Sequence, residues 1–310
     1  MPRLLFVHAH PDDETLTCGV TMAHHVARGD EVHVLTCTLG EEGEVIPPGL
    51  AHLEGDPDDR LAPYRHAELT RAMCRVGAVM HVLGEDRGTG RLSRYRDSGM
   101  VGSPAAARPE AFAAADLDVA GGLVADVMRE VRPDVVVTYD AHGGYGHPDH
   151  VQTHRVTRRA LELLDDTDRP GRVFEILTPI SWAREDRAWL RGADATLLDT
   201  TAWWAEQELG ADQPAAPSLV VPATGDPFPP SVVDDDRVTH AVVDEAARAV
   251  QNDALRAHAT QVIVASEDVH ALSNLVAART TGREGFRRVD PLTWETVGGP
   301  VEPSEAGLLT

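Results

Sequence analysis

The sequence alternates short apolar runs with segments of helical periodicity, and this alternation limits the possible folds more than any other feature. Near the start, an apolar run from Leu4 to Val7 leads into His10-Pro11-Asp12-Asp13-Glu14. A short apolar run indicates a buried strand, Pro11 ends it, and the acids suit the first turn of a helix. Apolar residues recur at helical spacing from Glu14 to Arg28, and Gly29 supplies a stop.

The same pattern continues along the first half of the chain. Further strands are predicted at Glu31–Thr36, Val79–Leu83, Pro133–Tyr139 and Arg172–Thr178, and further helices at Tyr64–Val76, Leu117–Val131 and from His150 to about Leu164. Strands that alternate with helices pair in parallel through right-handed crossovers. We therefore predict an α/β fold with a Rossmann-like, mostly parallel sheet flanked by helices, and a smaller C-terminal lobe.

The domain organisation follows from changes in composition. We predict a catalytic α/β domain over residues 1–180, a C-terminal lobe over 181–296 that completes the substrate site, and a disordered tail over 297–310. The stretch from Pro214 to Pro230 is rich in proline, and a helix is predicted at Val238–Thr260. The pattern gives no assignment for Trp203 and Trp204.

Charge and cysteine content exclude several classes of function. The net charge is -22 and all 28 basic residues are arginines, so nucleic acid and anionic membrane surfaces are not expected as partners. No apolar stretch is long enough to span a bilayer or to form a signal sequence, which favours a cytosolic protein. Cys18, Cys37 and Cys74 show no CxxC pairing. We interpret them as buried apolar residues, not as disulfide partners or metal ligands.

Two loops carry residues with the pattern of a metal site. His10 and Asp13 follow the first strand, and His147-Pro148-Asp149-His150 follows the strand that ends at Tyr139. Loops after parallel strands emerge at the same edge of a sheet, so the two loops can meet. A catalytic zinc normally has three protein ligands and an open position for water. We predict that His10, Asp13 and His150 are the ligands.

The remaining polar residues of these loops suit amide hydrolysis. Asp12, next to a ligand but free, can act as the base that takes a proton from water. His147 can stabilise an oxyanion or protonate a leaving amine, Tyr145 can add a hydrogen bond, and Asp149 can orient an imidazole. Acids at a helix N-terminus are common without any catalytic role. The coincidence of two such motifs, each between a strand and a helix, favours the metal site.

The motifs His10-Pro11-Asp12-Asp13-Glu14 and His147-Pro148-Asp149-His150 resemble those of the LmbE-like family of N-acetylglucosaminyl deacetylases. Four runs resemble the branch of that family that acts in mycothiol biosynthesis: Thr36 to Ile46, Arg96 to Met100, Tyr139 to His150, and Leu255-Arg256-Ala257-His258. The resemblance implies hydrolysis of the acetamide of N-acetylglucosaminyl-inositol with a divalent metal, Zn²⁺ or in the cell Fe²⁺. It also implies the ligand and base assignments given above.

The resemblance also implies that Arg65, Asp97 and Met100 bind a small amino-sugar substrate. For Arg65 there is a purely structural alternative, an ion pair with Glu68 on the same helix. The resemblance leaves open a second reaction, cleavage of the amide in mycothiol S-conjugates by a sister branch, and also deacetylation of other N-acetyl amino sugars. The absence of a lysine in Thr15-Leu16-Thr17-Cys18 and the presence of Gly146 before His147 favour the deacetylase.

Two other classes of protein fit the sequence less well. A non-catalytic sugar- or metal-binding module is disfavoured because the base, Asp12, is present. A nucleotide-dependent enzyme is disfavoured because no GxGxxG or P-loop motif opens any predicted helix, and the glycines from Gly143 to Gly146 have a different spacing.

Overall fold

The computed structural model describes residues 1–207 and 214–310, so residues 208–213 of the predicted C-terminal lobe lie outside the described chain. The helices are α1 (Asp13–Ala27), α2 (Leu61–Val76), α3 (Leu117–Val131), the single turn α4 (Gly143–Gly146), α5 (Pro148–Leu163), α6 (Ile180–Gly192), α7 (Thr201–Ala205) and α8 (Glu245–Leu255). The strands are β1 (Arg3–His8), β2 (Glu31–Thr36), β3 (Val79–Val82), β4 (Val135–Tyr139), β5 (Arg172–Ile176), β6 (Thr178–Pro179), β7 (Val232–Val233), β8 (His240–Val243), β9 (Ile263–Val264), β10 (Val269–Ala271), β11 (Ala278–Arg279) and β12 (Arg283–Val289).

A seven-stranded sheet in the order β3-β2-β1-β4-β5-β12-β8 forms the centre of the protein. The strands from β3 to β5 pair in parallel, whereas β12 is antiparallel to both β5 and β8. The prediction of an α/β fold with a mostly parallel sheet is confirmed. Because β1 and β4 are neighbours, the loops that follow them emerge side by side at one edge of the sheet.

Alternate residues of the central strands face two separate hydrophobic cores. Leu4 and Phe6 of β1 point to the core beneath α1, α2 and α8, whereas Leu5 and Val7 point to the core beneath α3 and α5. All four side chains are fully buried. A strand covered on both faces is expected to be apolar at every position, which explains the uninterrupted run in the sequence.

The C-terminal half is joined to the main sheet more closely than the predicted boundary at residue 180 suggests. Both β8 and β12 belong to the central sheet, whereas β9, β10 and β11 form a separate three-stranded sheet and β6 pairs with β7. The carboxylate of Glu284 on β12 accepts hydrogen bonds from the backbone N–H groups of Val20 and Thr21 in α1, at 2.9 and 2.8 Å. Strand and helix are therefore fastened by polar contacts as well as by the core.

Two segments differ from the predictions. The helix predicted at Val238–Thr260 is divided into β8 and α8, because Asp244 accepts N–H bonds from Ala246 and Ala247 and so starts the helix there. The tail predicted to be disordered, residues 297–310, packs against α1: Leu308 is fully buried and its N–H donates to Nε2 of His25. Within the described residues, every helix is too short or too polar to cross a bilayer.

The packing of the tail gives a first prediction. Leu308→Ala leaves a cavity in the core beneath α1, so we expect the free energy of unfolding to fall by about 2–5 kcal/mol in urea titrations. Val301→Ala is a matched control, because Val301 lies in the same tail and is 45% exposed. It should cost less than about 0.5 kcal/mol. Equal stability of Leu308→Ala and the wild type would show that the tail does not contribute to the fold.

Candidate metal and catalytic site

Three potential ligand atoms converge where the loops after β1 and β4 meet. Oδ2 of Asp13 lies 3.2 Å from Nδ1 of His10 and 3.2 Å from Nε2 of His150, and the two nitrogens are 3.3 Å apart. Asp13 opens α1 and His150 lies in the first turn of α5. The structure thus brings together the three predicted ligands, which come from two distant parts of the chain.

The dimensions of this triangle fit a divalent metal ion. Tetrahedral coordination with bonds of about 2.0–2.2 Å separates ligand atoms by about 3.3–3.6 Å, close to the three observed edges. Two imidazoles and a carboxylate are donors that divalent transition metals accept. His10 and Asp13 are 7 and 8% exposed and His150 is 2% exposed, so a metal at the triangle would be shielded from most of the solvent.

Contacts of His10 on the side away from the triangle determine which of its ring nitrogens faces the triangle. Nε2 of His10 lies 3.3 Å from Oδ2 of Asp149 and 3.5 Å from Oδ1 of Asp97. Asp149 is itself held by the N–H and the hydroxyl of Ser98. A proton on Nε2 that is donated to these carboxylates leaves the lone pair of Nδ1 for a metal, which is the usual arrangement for a metal-binding histidine. Asp149 thus lies where it could orient the ring of His10, and that role stays a prediction.

His147 and Tyr145 border the triangle. The ring of His147 lies 4.7 Å from that of His10, and its Nδ1 accepts the N–H of Asp149 at the start of α5. Burial, reinforced by His10 and His150, lowers the pKa of His147 to about 3. A neutral ring whose Nδ1 accepts a hydrogen bond carries its proton on Nε2, where it can donate to another group. Tyr145 is 54% exposed, and its ring lies 5.0 Å from that of His150.

Glycine is required where the loop after β4 approaches α5. Gly143 has φ +63°, and a Cβ atom there would lie 2.6 Å from the backbone nitrogen of Val151 and 2.7 Å from Cβ of His150. Such contacts are too short for any other residue, so a side chain at this position would displace His150. The ring of His150 is also held by Tyr139, which stacks on it at a centroid distance of 4.3 Å.

Asp12 lies beside the triangle in an unusual backbone conformation. Its φ is +112°, which is rare for a residue with a side chain, and it is 8% exposed. Its Oδ2 is 3.3 Å from Nη2 of Arg65. Burial raises the pKa of Asp12 to about 7, and Arg65 opposes that rise. Asp12 is thus held next to the ligands without being one of the three converging atoms.

The three predicted substrate contacts have different surroundings. Arg65 is buried and donates to the carbonyl oxygens of Gly40 and Pro11, so the alternative of an ion pair with Glu68 is not what the structure contains. Asp97 is also buried, beside His10. Met100 is 55% exposed. Only Met100 lies on the open surface, and the substrate-binding roles of all three stay predictions.

Four further residues of the site were missed in the sequence. Ser98 holds Asp149, and Tyr139 stacks on His150 and accepts the N–H of Ala9 at 3.0 Å. Glu14 and His258 lie 3.2 Å apart behind Asp12, and both are fully buried. In the sequence, Glu14 stood out only as a member of the acidic run, and His258 only as a member of the Leu255–His258 run. Neither run indicates which partner the side chain contacts.

Two histidines and an aspartate that converge at the carboxyl edge of an α/β sheet form a donor set suited to a divalent metal and to metal-assisted hydrolysis. Comparison with protein families makes this specific: the profile of the family described as "PIG-L: GlcNAc-PI de-N-acetylase" matches residues 5–161. The chain belongs to the PIG-L family, and the resemblance noted in the sequence is confirmed.

Curated relatives match nearly the whole chain. A protein of Streptomyces avermitilis named 1D-myo-inositol 2-acetamido-2-deoxy-alpha-D-glucopyranoside deacetylase is 47% identical over 89% of this chain and 87% of its own. Proteins of the same name from Streptomyces scabiei and Thermobispora bispora are 45 and 43% identical, and the matches cover 93 and 99% of this chain and 84 and 94% of theirs.

A solved structure supports the fold. The crystal structure of a "deacetylase-bog complex in biosynthesis pathway of teicoplanin" has a TM-score of 0.51 with 17% sequence identity, covering 93% of this chain and 99% of that one. At this identity the similarity concerns the architecture of the sheet and helices alone.

The converging atoms give a prediction about metal binding. His150→Ala removes one corner of the triangle, so we expect the purified variant to lose stoichiometric metal on dialysis, as measured by plasma mass spectrometry. Asp149→Asn should weaken metal affinity by about 10–100-fold, because it loosens the orientation of His10. Asp12→Asn is the control, since its side chain lies outside the triangle and metal should be retained. Loss of metal from Asp12→Asn would make Asp12 a ligand and contradict the assignment.

Proposed function

We propose that this protein hydrolyses the acetamide of N-acetylglucosaminyl-inositol to acetate and the free amine, a step of mycothiol biosynthesis. The observation that carries the proposal is the triangle of His10, Asp13 and His150 with the unligated carboxylate of Asp12 beside it. Relatives that bear the name of this deacetylase, at 41–47% identity over most of both chains, support the choice of substrate. We also propose a cytosolic location, as expected from the sequence.

The metal in this proposal is zinc, held by His10, Asp13 and His150. Ferrous iron suits the same donors, and its availability in the cell decides between the two. A divalent metal at such a site polarises a carbonyl oxygen and makes a water molecule more acidic. Asp97 and Asp149 fix the ring of His10, so the donor atoms are set in place before substrate arrives.

The protein's own residues carry the proton transfers. Asp12 takes a proton from the attacking water as the carbon–oxygen bond forms at the acetamide carbon. His147, with its proton on Nε2, donates to the negatively charged oxygen or to the nitrogen that leaves as the amine. The hydroxyl of Tyr145, whose side chain is exposed at the edge of the site, adds a hydrogen bond. Breakage of the carbon–nitrogen bond then gives acetate and the amino sugar.

Arg65 has a second role in this proposal besides substrate binding. Its guanidinium links Asp12 to the carbonyls of Pro11 and Gly40, so it holds the base and the neighbouring loop together. Asp97 likewise has a second role, which is to fix the ring of His10. Met100, on the surface three residues further on, remains free to contact the inositol or sugar ring.

The direct test is release of acetate from N-acetylglucosaminyl-inositol by the purified protein. We expect turnover that a chelator abolishes and added zinc restores, and that Asp12→Ala lowers by at least about 100-fold while retaining metal. The same assay is run with a bimane conjugate of mycothiol. A large preference for the conjugate would reassign the protein to the S-conjugate amidases. If the protein binds one zinc per chain but turns over neither compound, the result would support the metal site and overturn the proposed substrate.

The position of Arg65 gives a separate prediction. Arg65→Ala frees Asp12 and removes a buried cation, so kcat should fall by about 10–100-fold in addition to any rise in KM, whereas zinc content should stay at one per chain. A change in KM alone would indicate that Arg65 contacts substrate without supporting Asp12. Arg71→Ala, at an exposed arginine of α2, serves as the control for disturbance of the helix.

A further inference from the structure

Glu14 and His258 form a buried pair directly behind Asp12, although neither belongs to the triangle of metal ligands. Oε1 of Glu14 lies 3.2 Å from Nε2 of His258, and both side chains are 0% exposed. Among the described residues Nδ1 of His258 has no hydrogen-bond partner, so the ring acts through Nε2. The pair joins the first catalytic motif to the Leu255–His258 run, which the metal site does not use.

The other carboxylate oxygen of Glu14 holds the backbone of Asp12. Oε2 of Glu14 accepts the N–H of Asp12 at 3.1 Å. The carbonyl of Asp12 accepts the N–H groups of Thr15 and Leu16, at 3.0 and 2.9 Å. Both the N–H and the carbonyl of Asp12 are therefore hydrogen-bonded, and its φ in this arrangement is +112°. A residue with a side chain keeps such a conformation only when its surroundings impose it.

The segment that carries His258 is in turn fixed by hydrogen bonds of neighbouring residues. Two residues further on, Thr260 donates its N–H and hydroxyl to Glu68 of α2, at 2.9 and 2.6 Å, and its carbonyl accepts the N–H of Ile46. On α8, Gln251 donates to the carbonyl of Thr15 at 2.9 Å. The imidazole is thus presented to Glu14 by a rigid segment, and Glu14, which has no solvent access, cannot turn away at low cost.

We propose that Glu14 and His258 are positioning residues, which hold the backbone of Asp12 in its strained conformation and so keep the catalytic carboxylate beside the metal ligands. Glu14 supplies the bond to Asp12, and His258 fixes Glu14 through the donation from Nε2. The proposal rests on the proposed function for the role of Asp12 as base. It differs from a simple stabilising ion pair, which would change the free energy of unfolding without moving Asp12.

The first test needs no substrate. Crystal structures of the zinc-loaded wild type and of His258→Leu should show Asp12 at positive φ in the former, and relaxed to an ordinary conformation in the latter, with the three ligands unmoved. His258→Gln retains a donor and should preserve the wild-type conformation. Arg256→Ala is the matched control from the same run: it removes an ion pair with Glu267 and should leave Asp12 in place. An unchanged Asp12 in His258→Leu overturns the proposal.

Kinetics provides the second test. His258→Leu should lower kcat by about 100-fold with little change in KM or zinc content, because a displaced base affects the chemical step. His258→Gln should recover most of the activity, and Arg256→Ala should keep it. In the Asp12→Ala background, His258→Leu should have no further effect on the residual rate. A further loss in that background, equal to the loss in the wild type, would mean that His258 acts independently of Asp12.

The two arms separate the failure of this proposal from that of the proposed function. If the wild type releases no acetate, the substrate is wrong, and the crystallographic arm still decides whether the pair holds Asp12. If His258→Leu fails to fold, Glu14→Leu replaces it in both arms. That variant removes the acceptor of the Asp12 N–H outright, so the same movement and loss of kcat are expected.

Discussion

The site depends on one constraint, the adjacency of β1 and β4 in a parallel sheet. Because all loops after parallel strands emerge at one edge, this adjacency brings the loop with His10 and Asp13 close to the helix end that carries His150. The strands themselves are apolar on both faces and are covered by helices, so their positions are fixed by packing. The hydrophobic cores thus fix the positions of the two loops, and polar contacts such as that of Asp149 with His10 orient the individual rings.

This geometry concentrates negative charge in a small volume. Five buried carboxylates lie within or beside the site: Asp12, Asp13, Glu14, Asp97 and Asp149. The cationic partners in contact with them are Arg65 and the imidazoles of His10, His150 and His258, to the extent that these are protonated. Burying charge without compensation is costly, and a divalent cation at the triangle would offset part of that cost. Metal binding and folding are therefore expected to be coupled in this protein.

The sequence predicted what is local and periodic. The strands β1 to β5, the helices α1, α2, α3 and α5, and the convergence of His10, Asp13 and His150 follow from apolar runs and from the order of elements. It did not predict β12, because an antiparallel strand at the edge of a parallel sheet depends on pairing between distant segments. For the same reason it did not pair Arg65 with Asp12 or Glu14 with His258. Nothing in the spacing of these residues indicates which partner a buried side chain will find.

The match to the family covers residues 5–161, which contain every atom of the triangle and Asp12, the proposed base. Yet the C-terminal half supplies β8 and β12 to the same sheet, Glu284 to the backbone of α1, and His258 to Glu14. The conformation of Asp12 is thus supported from outside the segment that defines the family. Replacement of the C-terminal half can alter the position of the base without altering the metal ligands. Relatives that share both motifs can therefore differ in the rate of the chemical step as well as in substrate, and this difference is physically separate from any difference in metal affinity.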